Sequence, residues 1–392
     1  MTSDAPGAAP AAAESRGPLR EHFAGEVVLI TGFPGFRAQA LVRTLAEREH
    51  SASLWFVVPP SEIEAAARVL ATCSLRRDQL RLIPGEPCAI DLGLSRQVYA
   101  ELSQRVDRWF SLYQTTDIQA KRELCFRVNL GSAREIAELS KVAENLSQVT
   151  FLSSSCVFGD HQGDVAEEAL SVGQSFRSAA SESLALAEAF LRRRLADASV
   201  SVVRTPPVLG ALAPGVTGTA PRPSGLHRLL AHVARAPSDA ALPLPPGSHR
   251  PVQVLPADFV ADALYTVAVL GTRGRAYHFA EPEPPSLAEV LEQAARHFGK
   301  RFEQGFDPRS LGRLLLKSPG FWLSQQSSRA LSEWAEGPQL LTRGGDRLLE
   351  RAGLRAPPLL SYLDAVLRET DELMAGKLLD ERRYSQPFEV VA

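Results

Sequence analysis

Three stretches of this chain hold residue types whose spacing could do chemistry. The first is Ile30-Thr31-Gly32-Phe33-Pro34-Gly35-Phe36-Arg37-Ala38, between an apolar β-branched run and a helical pattern. Gly32 would permit a tight turn, Gly35 would let the backbone approach a pyrophosphate, and Ala38 would pack a helix closely on its sheet. Free amides at the helix start would then face the phosphate oxygens. Gly32, Phe33, Pro34, Gly35, Phe36 and Arg37 are therefore the expected cofactor-binding residues. The second stretch is Phe151-Leu152-Ser153-Ser154-Ser155-Cys156, an apolar run ending in hydroxyls without the Gly-x-Ser-x-Gly frame of an activated nucleophile. The third, Asp160, His161 and Asp164, lies in a Gly-containing loop and reads as solvated turn residues. Arg192-Arg193-Arg194 falls at the C-terminal end of a helical pattern, where cations favour the helix dipole.

These residues need elements to position them, and the sequence supplies an alternation. Glu26-Val-Val-Leu-Ile-Thr31, Trp55-Phe-Val-Val58, Leu80-Arg-Leu-Ile83, Trp109-Phe-Ser-Leu112, Val149-Thr-Phe-Leu152 and Val200-Ser-Val-Val203 read as strands. Ala38–Arg48, Glu62–Leu70, Asn129–Val142 and Ala179–Leu195 carry apolar residues at helical spacing between them. Continuous apolar strands separated by amphipathic helices predict a doubly wound parallel sheet of about six or seven strands, covered on both faces. A further strand is read at Arg275-Ala-Tyr-His-Phe-Ala280, followed by mostly helical sequence. The predicted organisation is a loose Ala/Pro/Gly tail over 1–24, a Rossmann-type α/β domain over 25–272, a smaller, mostly helical C-terminal lobe over 273–377 and a polar tail over 378–392. Ala211–Ser224, rich in Pro and Gly, is expected to form a loop or flap.

Composition excludes several classes of function. Forty-three basic against 45 acidic residues leave a formal charge of −2, so no global field recruits nucleic acid or an anionic membrane. No apolar run approaches the length of a bilayer span, and the first 24 residues lack the basic start and apolar core of a secretory signal. Cys73, Cys88, Cys125 and Cys156 show neither metal-ligand spacing nor a disulfide framework, which points to reduced thiols in the cytoplasm and to no metal site.

The motifs together resemble an extended short-chain dehydrogenase/reductase, and within it the branch of thioester and fatty acyl reductases. Thr31-Gly-Phe-Pro-Gly-Phe36 is similar to that family's TGxxGF loop, Val128-Asn129-Leu-Gly131-Ser132 to its VNxxGT helix start, and Phe151 through Gly159 to its strand ending in SSxxVxG. Arg204-Thr-Pro-Pro-Val-Leu-Gly210 is similar to the RPxxVxG segment, Ala257-Asp258-Phe-Val-Ala-Asp-Ala263 to VDyVadA, and Leu348-Leu349 with Pro357-Pro358-Leu-Leu-Ser-Tyr362 to the reductase-type ending. The resemblance implies an NAD(P) cofactor at the Gly32–Gly35 loop and places the active-site hydroxyl at Ser154. It also implies a homodimer through the helix after Asn129 and the helix carrying Ala180, which light scattering would detect.

The departures from that pattern bear on function. The family carries a Tyr-x-x-x-Lys pair ahead of an Ala-Glu on one helix; Ala187-Glu188 is present and places Ala180 and Leu184 at the two positions. No Tyr occurs between Tyr113 and Tyr265 and no Lys between Lys141 and Lys300, so no realignment restores the pair. The Tyr would donate a proton as hydride arrives, and the Lys would lower its pKa and hold the nicotinamide ribose. Ala180, Leu184, Ala187 and Leu191 instead form one apolar stripe, read as packing surface. Tyr113 and Gln114 stand where the family has small residues beneath the cofactor, and Gly85-Glu86 replaces its Gly-Asp. The second strand ends Val57-Val58-Pro59-Pro60, without the acidic residue that selects NAD or the Arg that accommodates NADP. Arg37 is the cation that could reach a 2′-phosphate, against the usual solvated fate of an Arg just inside a helix. The expected function is a non-catalytic binding or scaffold protein with a vestigial Ser154 and weakened NAD(P) binding, set against a reductase of acyl thioesters or aldehydes using another proton donor.

Overall fold

The computed structural model describes residues 19–195, 200–210, 225–236, 241–244, 247–303, 337–372 and 374–375. The expected flap at 211–224 and the polar tail at 378–392 lie outside the described residues.

Seven strands form one parallel sheet: β1 (Val27–Thr31), β2 (Ser53–Val58), β3 (Leu80–Pro84), β4 (Arg108–Ser111), β5 (Gln148–Ser154), β6 (Val200–Thr205) and β7 (Ala276–His278). Their order across the sheet is β7-β6-β5-β4-β1-β2-β3, so the winding reverses between β1 and β4. Side-chain alternation sorts each strand between two cores. Val28 and Ile30 of β1, with Leu54, Phe56 and Val58 of β2, join one core. Val27 and Leu29, with Trp55 and Val57, join the other.

Helices α1 (Phe36–Arg48), α2 (Ile63–Leu70) and α7 (Ala257–Leu270) cover the first face. Helices α3 (Arg96–Arg105), α4 (Arg122–Val142) and α5 (Ala179–Arg194) cover the second. A third apolar cluster joins α6 (Gly225–Arg235), α8 (Leu287–His297) and α10 (Leu359–Glu372) through Leu230, Leu291, Leu363 and their neighbours. Helix α9 (Arg343–Ala352) returns to the first face of the sheet through Leu348, Leu349 and Ala352.

Two boundaries differ from the sequence reading. Leu19–Ala24, read as tail, lies on the fold: Phe23 is fully buried, and its amide and that of His22 donate to the Glu49 carboxylate at 2.9 Å. An apolar side chain with both neighbouring amides satisfied no longer behaves as a tail. The division at 272/273 is crossed in both directions: β7 completes the main sheet and α6 packs with the later helices. The chain interleaves the two cores because β7 lies at the sheet edge beside β6, where a late strand can still add.

Candidate functional site

The phosphate loop begins where β1 ends. Gly32 has φ +95°, and a Cβ there would lie 2.6 Å from the Leu112 carbonyl carbon and 2.8 Å from the Tyr113 amide nitrogen. Only glycine fits, because the loop is pressed against the chain leaving β4. Gly35 N–H donates to the Gly32 carbonyl at 2.9 Å, closing the turn. Gly35 then caps α1 without any side-chain hydrogen bond, and no acidic residue stands in the first turn. The positive end of α1 is thus open to an anion, which is what a bound pyrophosphate requires. Phe33 is buried against Phe56, their ring centroids 4.8 Å apart, and Phe36 packs on the edge of the same core. Pro34 supplies its carbonyl to the Gln39 carboxamide at 2.6 Å, and these three residues shape the loop.

Arg37 is placed differently from the sequence reading. In the carboxamide orientation that satisfies both partners, Gln114 accepts from Arg37 Nη1 at 2.9 Å and donates to the Leu152 carbonyl at 2.7 Å. The guanidinium therefore reaches toward the ends of β4 and β5 and lies near Cys156. Burial pulls it down to about 10, with Cys156 acting the other way, so it stays charged at neutral pH.

Ser154 ends β5 and is 9% exposed; its Oγ accepts the Cys156 amide at 3.3 Å. Ser153 points the other way, donating to Glu188 at 3.0 Å. Helix α5 faces this end of the sheet with its stripe fully packed: Ala180 is 2% exposed, and Leu184, Ala187 and Leu191 have no exposed surface. Asn129 of α4 fixes the register by accepting the Thr115 amide at 2.8 Å and donating to Ser183 at 2.9 Å and to the Ala180 carbonyl.

Beneath this lies a buried polar network that sequence reasoning missed. Arg204 and Glu188 are both without exposed surface and form an ion pair, with Nε at 3.1 Å from Glu188 Oε2. Arg204 Nη1 also meets His278 Nε2 at 2.8 Å, while His278 Nδ1 meets the Leu341 carbonyl at 3.1 Å. Because Leu341 can only accept, Nδ1 carries the proton and Nε2 accepts from Arg204. Burial and the Arg204 charge pull His278 down to about 3. Glu167 accepts the amides of His278, Gly344 and Gly345 at 3.0, 2.8 and 2.9 Å, capping α9. Glu188 and Arg204 were visible only as motif letters, since no local pattern links residues on a helix, a strand and a distant loop.

On the opposite side of the crevice, Tyr113 donates to Glu86 Oε1 at 2.6 Å and Cys88 Sγ lies 3.3 Å from the same oxygen. Burial, then the Glu86 charge, pushes the Cys88 thiol up to about 12, so it is an inert thiol. Burial, then the Glu86 charge, likewise raises the Glu62 carboxyl just past β2. The glycine turn and the uncapped start of α1 thus fit a phosphate group. Among the described residues no His, Cys, Asp or Glu cluster is arranged to hold a metal, and no helix is long and apolar enough to cross a membrane.

A seven-stranded, doubly wound parallel sheet with a glycine turn at its reversal point defines a nucleotide-binding α/β protein of Rossmann type. Residues 30–264 match the NAD-binding family described as Male sterility protein, and the chain belongs to it. Solved structures agree in fold. The terminal R domain from the myxalamid PKS-NRPS biosynthetic pathway aligns with TM-score 0.72 and 18% identity over 92% of this chain and 93% of that one. The reductase domain of a nonribosomal peptide synthetase from Mycobacterium tuberculosis aligns at 0.63 and 18%, over 93% and 95%. A dTDP-glucose 4,6-dehydratase from Streptomyces venezuelae, solved with NAD bound, aligns at 0.59 and 14%, over 89% and 98%. No curated protein matches the chain.

Proposed function

We propose that this chain is a non-catalytic binding or scaffold protein built on the NAD(P)-binding reductase fold, with weakened dinucleotide affinity. The observation that carries the reading is α5: Ala180 and Leu184, at the positions of the proton donor and its partner, are sealed into the packing stripe. Hydride delivery to a carbonyl leaves an oxyanion that needs a proton, and a positioned general acid contributes about 10²–10⁴-fold. Ser154 stands at the family's active-site hydroxyl, and it has the Cys156 amide rather than a base as its partner. A ribose hydroxyl facing Leu184 would also go unpaired, which costs about 1–3 kcal/mol of affinity. Retention of the Gly32–Gly35 turn supports residual binding of a phosphate-bearing ligand.

The alternative, a reductase of acyl thioesters or aldehydes, is favoured by the names of the similar domains and requires Ser154 or a water as acid. The test is turnover of NADH and NADPH with aldehyde and acyl-thioester substrates. The expected rate is at least about a hundredfold below active enzymes of this kind, and an ordinary turnover of ~1–10³ s⁻¹ would overturn the proposal. Its companion is the double variant Ala180→Tyr with Leu184→Lys. Since both sites are buried, it is expected to lose about 1–3 kcal/mol of stability by overpacking rather than to gain activity. A cytoplasmic location and a homodimer through α4 and α5 belong to the same proposal; Val142 and Leu186, exposed on those two helices, support the dimer.

A further inference from the structure

The strand order makes one contact unusual. Tyr113 leaves the carboxyl end of β4, and Glu86 follows the carboxyl end of β3. Between them in the sheet stand β1 and β2. A hydrogen bond from Tyr113 to Glu86 must therefore pass over the carboxyl ends of those two strands. In a sheet wound this way the dinucleotide occupies the crevice at the reversal point, and its adenosine ribose is read from the end of β2. The Tyr113–Glu86 bond crosses the place where the adenosine half would lie.

Both ends are fixed by backbone. The Tyr113 amide sits against Gly32 so closely that a Cβ there would be 2.8 Å away, so the strand end cannot retreat without opening the phosphate loop. Glu86 N–H donates to the Leu92 carbonyl at 2.8 Å, and the Ala89 amide donates to the Glu86 carbonyl at 2.9 Å. That turn is itself held in an unusual state: Asp91, Leu92 and Gly93 all have left-handed φ, of 53°, 57° and 65°. Glu135 of α4 accepts the Leu92 amide at 3.4 Å and helps hold it there. Rotation of the Tyr113 side chain would clear the crevice, and it would break the bond. Burial, then the hydrogen bond and charge of Glu86, raises the Tyr113 phenol far above its ordinary range, so it remains an O–H donor across the working pH range.

We infer that Tyr113 and Glu86 form a strap that decides what the crevice admits, excluding the adenosine half of a dinucleotide until the ring swings out. Glu62 adds to the selection. It closes the short turn that follows the carboxyl end of β2, where an adenosine 2′-phosphate would be met. An opened crevice would therefore accept NADH in preference to NADPH. The inference rests on the crevice being of dinucleotide-binding type, as the family membership establishes, and its test reads affinity rather than turnover. Its failure is thus separable from failure of the non-catalytic reading.

The experiment is calorimetric titration of the full chain with NADH, NADPH and AMP, for the native protein, Tyr113→Ala and Tyr113→Phe. Thermal melting confirms that each variant is folded. Tyr113→Ala is expected to bind NADH and AMP at least about tenfold more tightly, the lower end of what a hydrogen bond to a charged group is worth. NADPH should gain less. Tyr113→Phe, which keeps the ring and loses only the bond, should gain in the same direction by a smaller factor. Unchanged NADH affinity in both folded variants would overturn the strap. So would weaker binding by Tyr113→Ala, which would make the ring a stacking platform for adenine. An equal gain for NADPH would remove Glu62 and Glu86 from the selection.

Discussion

The amino end of α1 and the inward face of α5 meet the same end of one sheet, yet they differ in kind. At α1 the backbone does the work: a left-handed Gly32, a turn closed by Gly35 and an uncapped helix start. Nothing there depends on a reactive side chain. At α5 the side chains decide, and they are Ala180, Leu184, Ala187 and Leu191 packed against the sheet, with Glu188 turned to Arg204. Backbone shape that also serves folding persists whether or not a ligand binds. Side-chain chemistry that serves only a reaction has no such second support.

The largest expected effect tests the claim that the α5 face is structural. Replacing Glu188 by Ala leaves Arg204 charged and fully buried with His278 Nε2 and the Glu167 carbonyl as its remaining neighbours. Breaking one side of a buried pair costs about 3–5 kcal/mol, so urea unfolding should show a loss of that size or failure to fold. A loss below about 1 kcal/mol, the scale of an exposed pair, would mean that water reaches the pair and that the α5 face is not sealed.

A smaller effect tests the other half of the comparison. Gly32→Ala forces a Cβ onto the Leu112 carbonyl and strains a φ of +95°. Strain at such a position is worth about 1–3 kcal/mol, and the loop must shift to relieve it. Lower melting temperature together with loss of any measurable NADH binding is the expected outcome. Unchanged stability would show that the loop is not pressed against β4.

The smallest effect is on pH dependence. His278 is neutral in the fold and ionises only near pH 3, whereas the unfolded chain takes up that proton near 6.5. The unfolded state therefore binds more protons between these values, and stability must fall as pH falls through the window. Between pH 6.5 and 5 the loss is about 1–2 kcal/mol. His278→Gln should flatten that part of the stability curve, measured by melting temperature against pH. Glu135 and Glu281, both raised by burial, act with the opposite sign, so only the difference between native protein and variant isolates His278. A parallel pair of curves would place water beside His278.

Much of the fold was legible because its signals are local. Six strands and four helices announced themselves as apolar runs and helical periods, and the seventh strand was read at Arg275–Ala280. Helix α7 was noted only as a motif, since nearly every residue from Ala257 to Ala268 is buried and no polar face marks its period. The apolar stripe on α5 was readable for the opposite reason: its period survives between Glu182 and the terminal arginines.

What the sequence alone determined about this protein was its winding, its glycine turn and the absence of Tyr and Lys from the span that holds α5, all properties of neighbouring residues or of plain composition. What only the tertiary structure decided was partnership: Arg37 with Gln114, Tyr113 with Glu86, Arg204 with Glu188 and His278. Tyr113 and Glu86 were each visible as a changed letter, but 27 residues and two intervening strands separate them. A hydrogen bond needs its two atoms within about 3 Å, and no spacing along a chain fixes that distance until the sheet has brought the strand ends together.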